Sequence, residues 1–178
     1  MDDSHPDEGP RCRVMAGVSG SLGSLAALHR AVAEARRIDA EVVAVLVWEP
    51  PGGEFGYRRS PCPPLLDAVR EAADERLRTA LDEAFGGADP GVPLRALTVR
   101  GEPGTALVRT AHRPEDLLVV GAGGGWLHRG LRPSAAAYCV RHATCPVLAV
   151  PVPALQRDLE TLRRRNLWHL PAETAPTR

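Results

Sequence analysis

Apolar residues along this chain fall into five short runs separated by stretches of helical spacing. Residues 13–18 (RVMAGV), 41–48 (EVVAVLVW), 94–99 (LRALTV), 116–120 (DLLVV) and 145–150 (CPVLAV) are the runs. Runs this apolar suit strands with no face in water, which predicts five buried strands, as in a parallel sheet. Between the first two runs, Leu25, Leu28, Ala31 (or Val32) and Ala35 repeat at helical spacing, and the helix is expected to reach Arg37. A helix from Pro64 to about Phe85 carries Leu66, Val69, Ala73, Leu77, Ala80 and Ala84 in register, with Gly86 as its stop. Residues 101–112 read as a turn and a short helix, and Pro133-Ser134 as the start of another that ends near His142. Residues 49–63, rich in Pro and Gly, read as one long loop that is functional or mobile. Strands alternating with helices predict a doubly wound five-stranded parallel α/β sheet with helices on both faces.

The ends of the chain differ from this core. Residues 1–11 are polar and acidic and predict a disordered arm, leaving 12–152 as the domain. Residues 153–178 predict an added amphipathic helix, with Leu155, Leu159, Leu162 and Trp168 at near-helical spacing and Arg163-Arg164-Arg165 between, and then a tail.

The chemistry concentrates between residues 116 and 151. The fourth apolar run breaks into Gly121-Ala122-Gly123-Gly124-Gly125, a loop with Arg129 and Arg132 follows, and Ser134 heads a helix that leads to the fifth run. Glycines let the backbone approach a ligand, and a helix start offers unpaired N–H groups and a positive dipole end, so this is the physics of an anion site. The competing explanation is a turn kept glycine-rich for packing. A dinucleotide fingerprint is disfavoured, because Trp126 takes the third glycine's slot and no acidic residue ends a following strand.

Composition removes several function classes. All 22 basic residues are arginine, which excludes a P-loop lysine and Schiff-base chemistry. The formal net charge is zero, so no nucleic-acid partner is expected, and Arg163 to Arg165 read as a solvated helix face. Cys12, Cys62, Cys139 and Cys145 lack CxxC spacing and read as reduced, mostly buried thiols, with no metal site expected. His29, His112, His128 and His142 are scattered, and no catalytic constellation is visible. No apolar run has transmembrane length and the start is not signal-like, so no membrane partner is expected and the cytoplasm is the expected compartment.

The order of glycine turn, spacer, Ser-headed helix and HATCPVLAVP resembles the C-terminal half of the universal stress protein family, and the resemblance covers roughly residues 13–152. Val18-Ser19-Gly20-Ser21 and Gly101-Glu102-Pro103 resemble further landmarks of that family. The resemblance implies an adenine nucleotide alpha hydrolase-like sheet of order 3-2-1-4-5, a homodimer, and a regulatory protein that binds ATP. The family motif is Gly, two residues, Gly, nine residues, then Gly followed by Ser or Thr. Gly121 and Gly124 match its first half. Counted forward, Ser134 falls in the later glycine's slot and Ala135 in the hydroxyl's. Aligned backward from the last strand, Pro133 stands on the glycine and Ser134 on the serine, with the spacer one residue short. The second register is preferred, because strand and helix set the frame better than a loop.

Carried over residue by residue, the resemblance implies a ligand site of Gly17, Val18, Ser19, Val47, Gly121, Ala122, Gly124, Arg129, Arg132 and Ser134. Ser19 stands where the family has an aspartate, and a serine brings a hydroxyl for a ribose but no charge for a metal-bridged phosphate. As a residue of a turn before a helix, Ser19 needs no ligand to explain it. Val47 would pack against adenine by resemblance; by composition it is core. Arg129 and Arg132 are candidates to neutralise phosphate, against the plain reading of solvated loop arginines. The departures at Ser19 and Pro133 point to weak or lost ATP binding. The alternative is an enzyme: Ser19-Gly20-Ser21-Leu22-Gly23-Ser24 echoes the Ser-Gly-Gly-x-Asp-Ser loop of ATP pyrophosphatases, with Gly23 in the aspartate slot. The last strand, residues 145–150, would leave an open apolar edge, and two copies pairing antiparallel there would close it.

Overall fold

The computed structural model describes residues 12–122 and 134–154. The chain order is β1 (Arg13–Val18), α1 (Leu22–Ile38), β2 (Glu41–Trp48), α2 (Gly53–Arg59), α3 (Pro63–Phe85), β3 (Leu94–Arg100), α4 (Pro103–Thr110), β4 (Leu117–Gly121), α5 (Ala135–His142) and β5 (Val147–Val150). The strands form one sheet in the order β3-β2-β1-β4-β5, and each neighbouring pair is parallel. That is the expected doubly wound sheet in the expected order.

Two apolar layers hold the helices on. On one face Val14, Ala16, Val18, Val42, Ala44 and Leu46 pack with Ala27, Leu28, Ala31 and Ala35 of α1 and Ala73, Leu77 and Ala80 of α3. On the other, the alternate residues Met15, Val43, Val45, Leu118 and Val120 meet Leu107 and Ala111 from α4 and its end, and Ala136 and Cys139 of α5. Successive side chains of one strand therefore serve opposite layers, which is why the central runs read as continuously apolar. At the amino ends of the strands Arg13 and Asp116 form a buried ion pair beneath the second layer.

Three local expectations need correction. Residues 49–63 are not one long loop, because they contain α2, a helix with two glycines and no buried residue. β3 and β5 are only partly buried, since among the described residues each lies at a sheet edge with a neighbour on one side alone. β5 also begins at Val147, two positions later than the apolar run suggests. The expected arm at 1–11, the loop from 123 to 133 and the expected helix and tail from 155 onward lie outside the described residues.

Candidate functional site

β1 and β4 are adjacent, yet their connections leave in opposite directions. β1 passes through α1 to β2 on one side, and β4 passes through α5 to β5 on the other. A crevice opens at the carboxyl ends of such a pair, and it is where doubly wound sheets place their ligands.

The first lip is a serine turn. Gly20 has φ of 80°, a left-handed conformation that favours glycine, and it swings the chain from β1 into α1. The Ser19 N–H donates to Ser24 Oγ at 3.1 Å, and Ser24 Oγ donates to the Ser21 carbonyl at 2.8 Å. The Ser24 N–H donates to Ser21 Oγ at 3.2 Å, which caps α1. The Ser19 and Ser21 hydroxyls lie 3.1 Å apart, in an exposed position. The three serines thus build a helix cap, with the Ser19 hydroxyl at its outer edge. Beneath them Val18 is buried, and Gly17 leaves room for Leu107, whose Cδ1 would lie 3.2 Å from a β-carbon at that position.

The second lip joins strand, glycine and helix cap. A β-carbon on Gly121 would sit 2.6 Å from the Gly23 carbonyl oxygen, so only glycine lets the end of β4 lie against the first turn of α1. Close packing therefore accounts for Gly121 without a ligand. The Ala122 N–H donates to the Val150 carbonyl at 2.7 Å, tying the exit of β4 to β5. Ser134 caps α5, with its Oγ accepting from the Ala137 N–H at 3.2 Å.

Ala122 and Ser134 line one open cleft of about 330 Å³, together with Ala136, Ala137, Val140, Arg141 and Ala149. Ser19 and Gly121 are not part of its wall. Val47 lies one position from the end of β2, half-buried against the α4-side layer. Gly124, Arg129 and Arg132 lie outside the described residues.

Sequence reasoning passed over two arginines at this end of the sheet. Arg76 of α3 directs Nη2 to the Ser19 carbonyl at 3.4 Å, which brings a cation to the first lip. Nothing in the local sequence marks this contact, because its partner lies 57 positions away. Arg100, the last residue of β3, donates from Nε to Glu54 Oε1 at 2.6 Å and from Nη2 to Glu54 Oε2 at 2.9 Å. Hydrogen bonding to Arg100 holds the Glu54 carboxyl below its usual range, and Glu54 in turn raises the Arg100 guanidinium. No local signal marks that pair, because its members stand 46 residues apart.

Among the described residues, no group of three or more His, Cys, Asp or Glu side chains is placed to hold a metal ion. No helix among them is long and apolar enough to cross a membrane.

Comparison with known proteins places this geometry. A universal stress protein in complex with cAMP is 26% identical at a TM-score of 0.52, over 80% of this chain and 98% of that one. UspA from Lactobacillus plantarum is likewise 26% identical, at a TM-score of 0.61 over 80% and 99% of the two chains. The universal stress protein from Archaeoglobus fulgidus in complex with dAMP is 19% identical at a TM-score of 0.55, over 79% and 97%, a likeness of fold alone. No curated protein matches the chain. The family model for universal stress proteins matches residues 11–151, and with the sheet order and the crevice in place, the chain belongs to the universal stress protein family.

Proposed function

We propose that this protein is a regulatory binder of an adenine nucleotide, held weakly in the crevice at the carboxyl ends of β1 and β4. One observation carries the reading: Ala122, just past the end of β4, and Ser134, the cap of α5, line one open cleft. A capped helix start facing such a cleft suits an anion. The 26% identical neighbour in complex with cAMP supports an adenine nucleotide as the ligand class.

In this reading Gly17 and Val18 floor the crevice, the Ser19 hydroxyl meets the ribose, and Val47 lies against the adenine. Gly121, Ala122 and Gly124 present backbone to phosphate, with Arg129 and Arg132 as counter-charges and Ser134 at the helix start. The residues fit a nucleotide in part. Backbone and helix cap suit phosphate, whereas Ser19 supplies no carboxylate for a bridging metal. Weak ATP binding follows, with occupancy passed to a partner and not spent on turnover. The same proposal joins two copies along residues 145–150, where β5 has a neighbour on one side only.

The test is to denature the purified protein and identify the released small molecules by mass spectrometry, then titrate cAMP, AMP and ATP by calorimetry. The expected result is an adenine nucleotide that is released, or that binds in the micromolar-to-millimolar range. No heat from any of the three at millimolar concentration overturns the proposal.

A further inference from the structure

α2 differs from the other helices in how it is held. It has seven residues and buries none of them. A helix needs about 12–15 residues to persist alone in water, so tertiary contacts keep this one folded. Those contacts converge on Arg100. Its guanidinium makes the two-pronged pair with Glu54, and its central carbon lies 4.8 Å from the centroid of the Tyr57 ring. Glu54 and Tyr57 are three positions apart and so share one side of the helix. Phe55 is turned out to solvent, 73% exposed.

The flanks have the form of a hinge. Before α2 come Pro50, Pro51 and Gly52, with Gly52 and Gly53 at φ of 77° and 70°. After it come Ser60, Pro61, Cys62 and Pro63. Stiff prolines bracketing two left-handed glycines let the segment turn as a unit. Its place is set by β2 and β3: Trp48 pairs in register with Arg100, and the Gly101 N–H donates to the Trp48 carbonyl at 2.9 Å. α2 therefore stands at the carboxyl ends of those strands, on the Val47 side of the crevice. The pair is accessible to water, with Arg100 and Glu54 side chains 32% and 40% exposed, so it is free to exchange.

We infer that α2 is a lid on the β2 side of the crevice, latched by Arg100 and opened when Arg100 releases Glu54. The latch follows from the geometry above. Only what passes beneath the lid rests on the proposed nucleotide function.

Two exposed arginines, Arg58 and Arg59, form the last turn of α2 and make the lid its own reporter, since trypsin cuts there only when the helix opens. Wild type, Glu54→Gln, Arg100→Gln and the exchanged pair Glu54→Arg with Arg100→Glu are compared by mass-mapped tryptic cleavage and by hydrogen exchange. Each single variant is expected to speed cleavage after Arg58 or Arg59 by about tenfold, with exchange in α1 and α3 unchanged. The exchanged pair is expected to return the rate towards wild type. Equal rates in all four proteins overturn the lid, and so does faster exchange in α1 and α3 alongside α2, which marks a general stability contact. A third measurement, cAMP dissociation by stopped flow, is expected to be faster from the single variants. If cAMP, AMP and ATP all fail to bind the wild type while the cleavage pattern holds, the nucleotide reading falls and the lid stands.

Discussion

Arg13 and Asp116, separated by 103 positions, meet as a buried two-pronged ion pair, Nε to Oδ1 at 2.9 Å and Nη2 to Oδ2 at 2.6 Å. Arg13 is 9% exposed and Asp116 1%, and the Arg113 N–H also donates to Oδ2 at 3.1 Å. The pair fastens the start of β1 to the chain just before β4, at the opposite end of the sheet from the crevice. Hydrogen bonding to Asp116 raises the Arg13 guanidinium, so no accessible pH neutralises it. Asp116→Ala leaves that cation buried and unpaired, and a loss of about 3–5 kcal/mol in urea unfolding is expected. Arg13→Met combined with Asp116→Leu removes both charges and is expected to recover most of the loss.

Glycine at 121 is a steric demand, and glycine at 56 is not. In Gly121→Ala the new β-carbon meets the Gly23 carbonyl, a backbone atom that yields only if α1 moves, and a cost of about 1–3 kcal/mol is expected. In Gly56→Ala the new β-carbon finds only the Pro51 carbonyl at 3.7 Å, an ordinary contact inside a helix. That variant is expected to gain about 0.4–1 kcal/mol and to slow tryptic cleavage of α2. Thermal and urea unfolding of the two variants check the contrast.

Burial pushes the Cys139 thiol from an ordinary 9.0 up to about 11. The unfolded chain then loses its thiol proton at lower pH than the folded one. Stability from this group is complete below pH 9 and drains away as pH climbs towards about 11. Cys145 shifts the same way, again by burial. Urea midpoints of wild type and Cys139→Ala are expected to converge over that window, because the variant lacks the thiol. Alkylation below pH 9 is expected to mark exposed Cys12 and Cys62 and to spare Cys139 and Cys145.

If the crevice takes ATP, two residues set its weakness. Ser19 offers a hydroxyl in place of the family's carboxylate, and Pro133 has no N–H to give. A hydrogen bond to a charged group contributes roughly 1.5–3 kcal/mol, so two losses cost about 3–6 kcal/mol. Ser19→Asp with Pro133→Gly is expected to tighten ATP at least about tenfold by calorimetry, about 1.4 kcal/mol. Tight ATP binding by the unchanged protein would contradict this account of both positions.

Val140 stands 60% exposed on α5, beside Ala149 of the open β5 edge. In the proposed dimer the edge of β5 pairs with its copy, and Val140 flanks that junction. Val140→Glu is expected to weaken self-association at least about tenfold in sedimentation equilibrium, since it would bury an unpaired charge. Equal association constants for the two proteins argue against pairing at this face.

The sequence pattern carried the fold further than the site. β1, β2 and β4 were legible because each lies between two neighbours and feeds both apolar layers, so nearly every residue had to be apolar. The Gly86 stop and the Ser134 cap were legible because a single residue performs each. α2 was hidden, since seven residues with two glycines and no buried face have no periodicity to detect. β3 and β5 looked more buried than they are, because apolar content does not reveal which strand lies at an edge. At the site, Gly121 does make a close approach, and its neighbour is Gly23. Nothing in a linear pattern distinguishes a backbone neighbour from a ligand. Arg76 and Arg100 escaped for the same reason, their partners being far along the chain.

The contact of Gly121 with Gly23 and the bond from Ala122 to Val150 make the exit of β4 a fixed post, and the Ser134 cap is a second. Neither post draws a partner from residues 123–133. A substitution between the posts therefore takes no partner from either one. Each post is thus anchored independently of the chain between them.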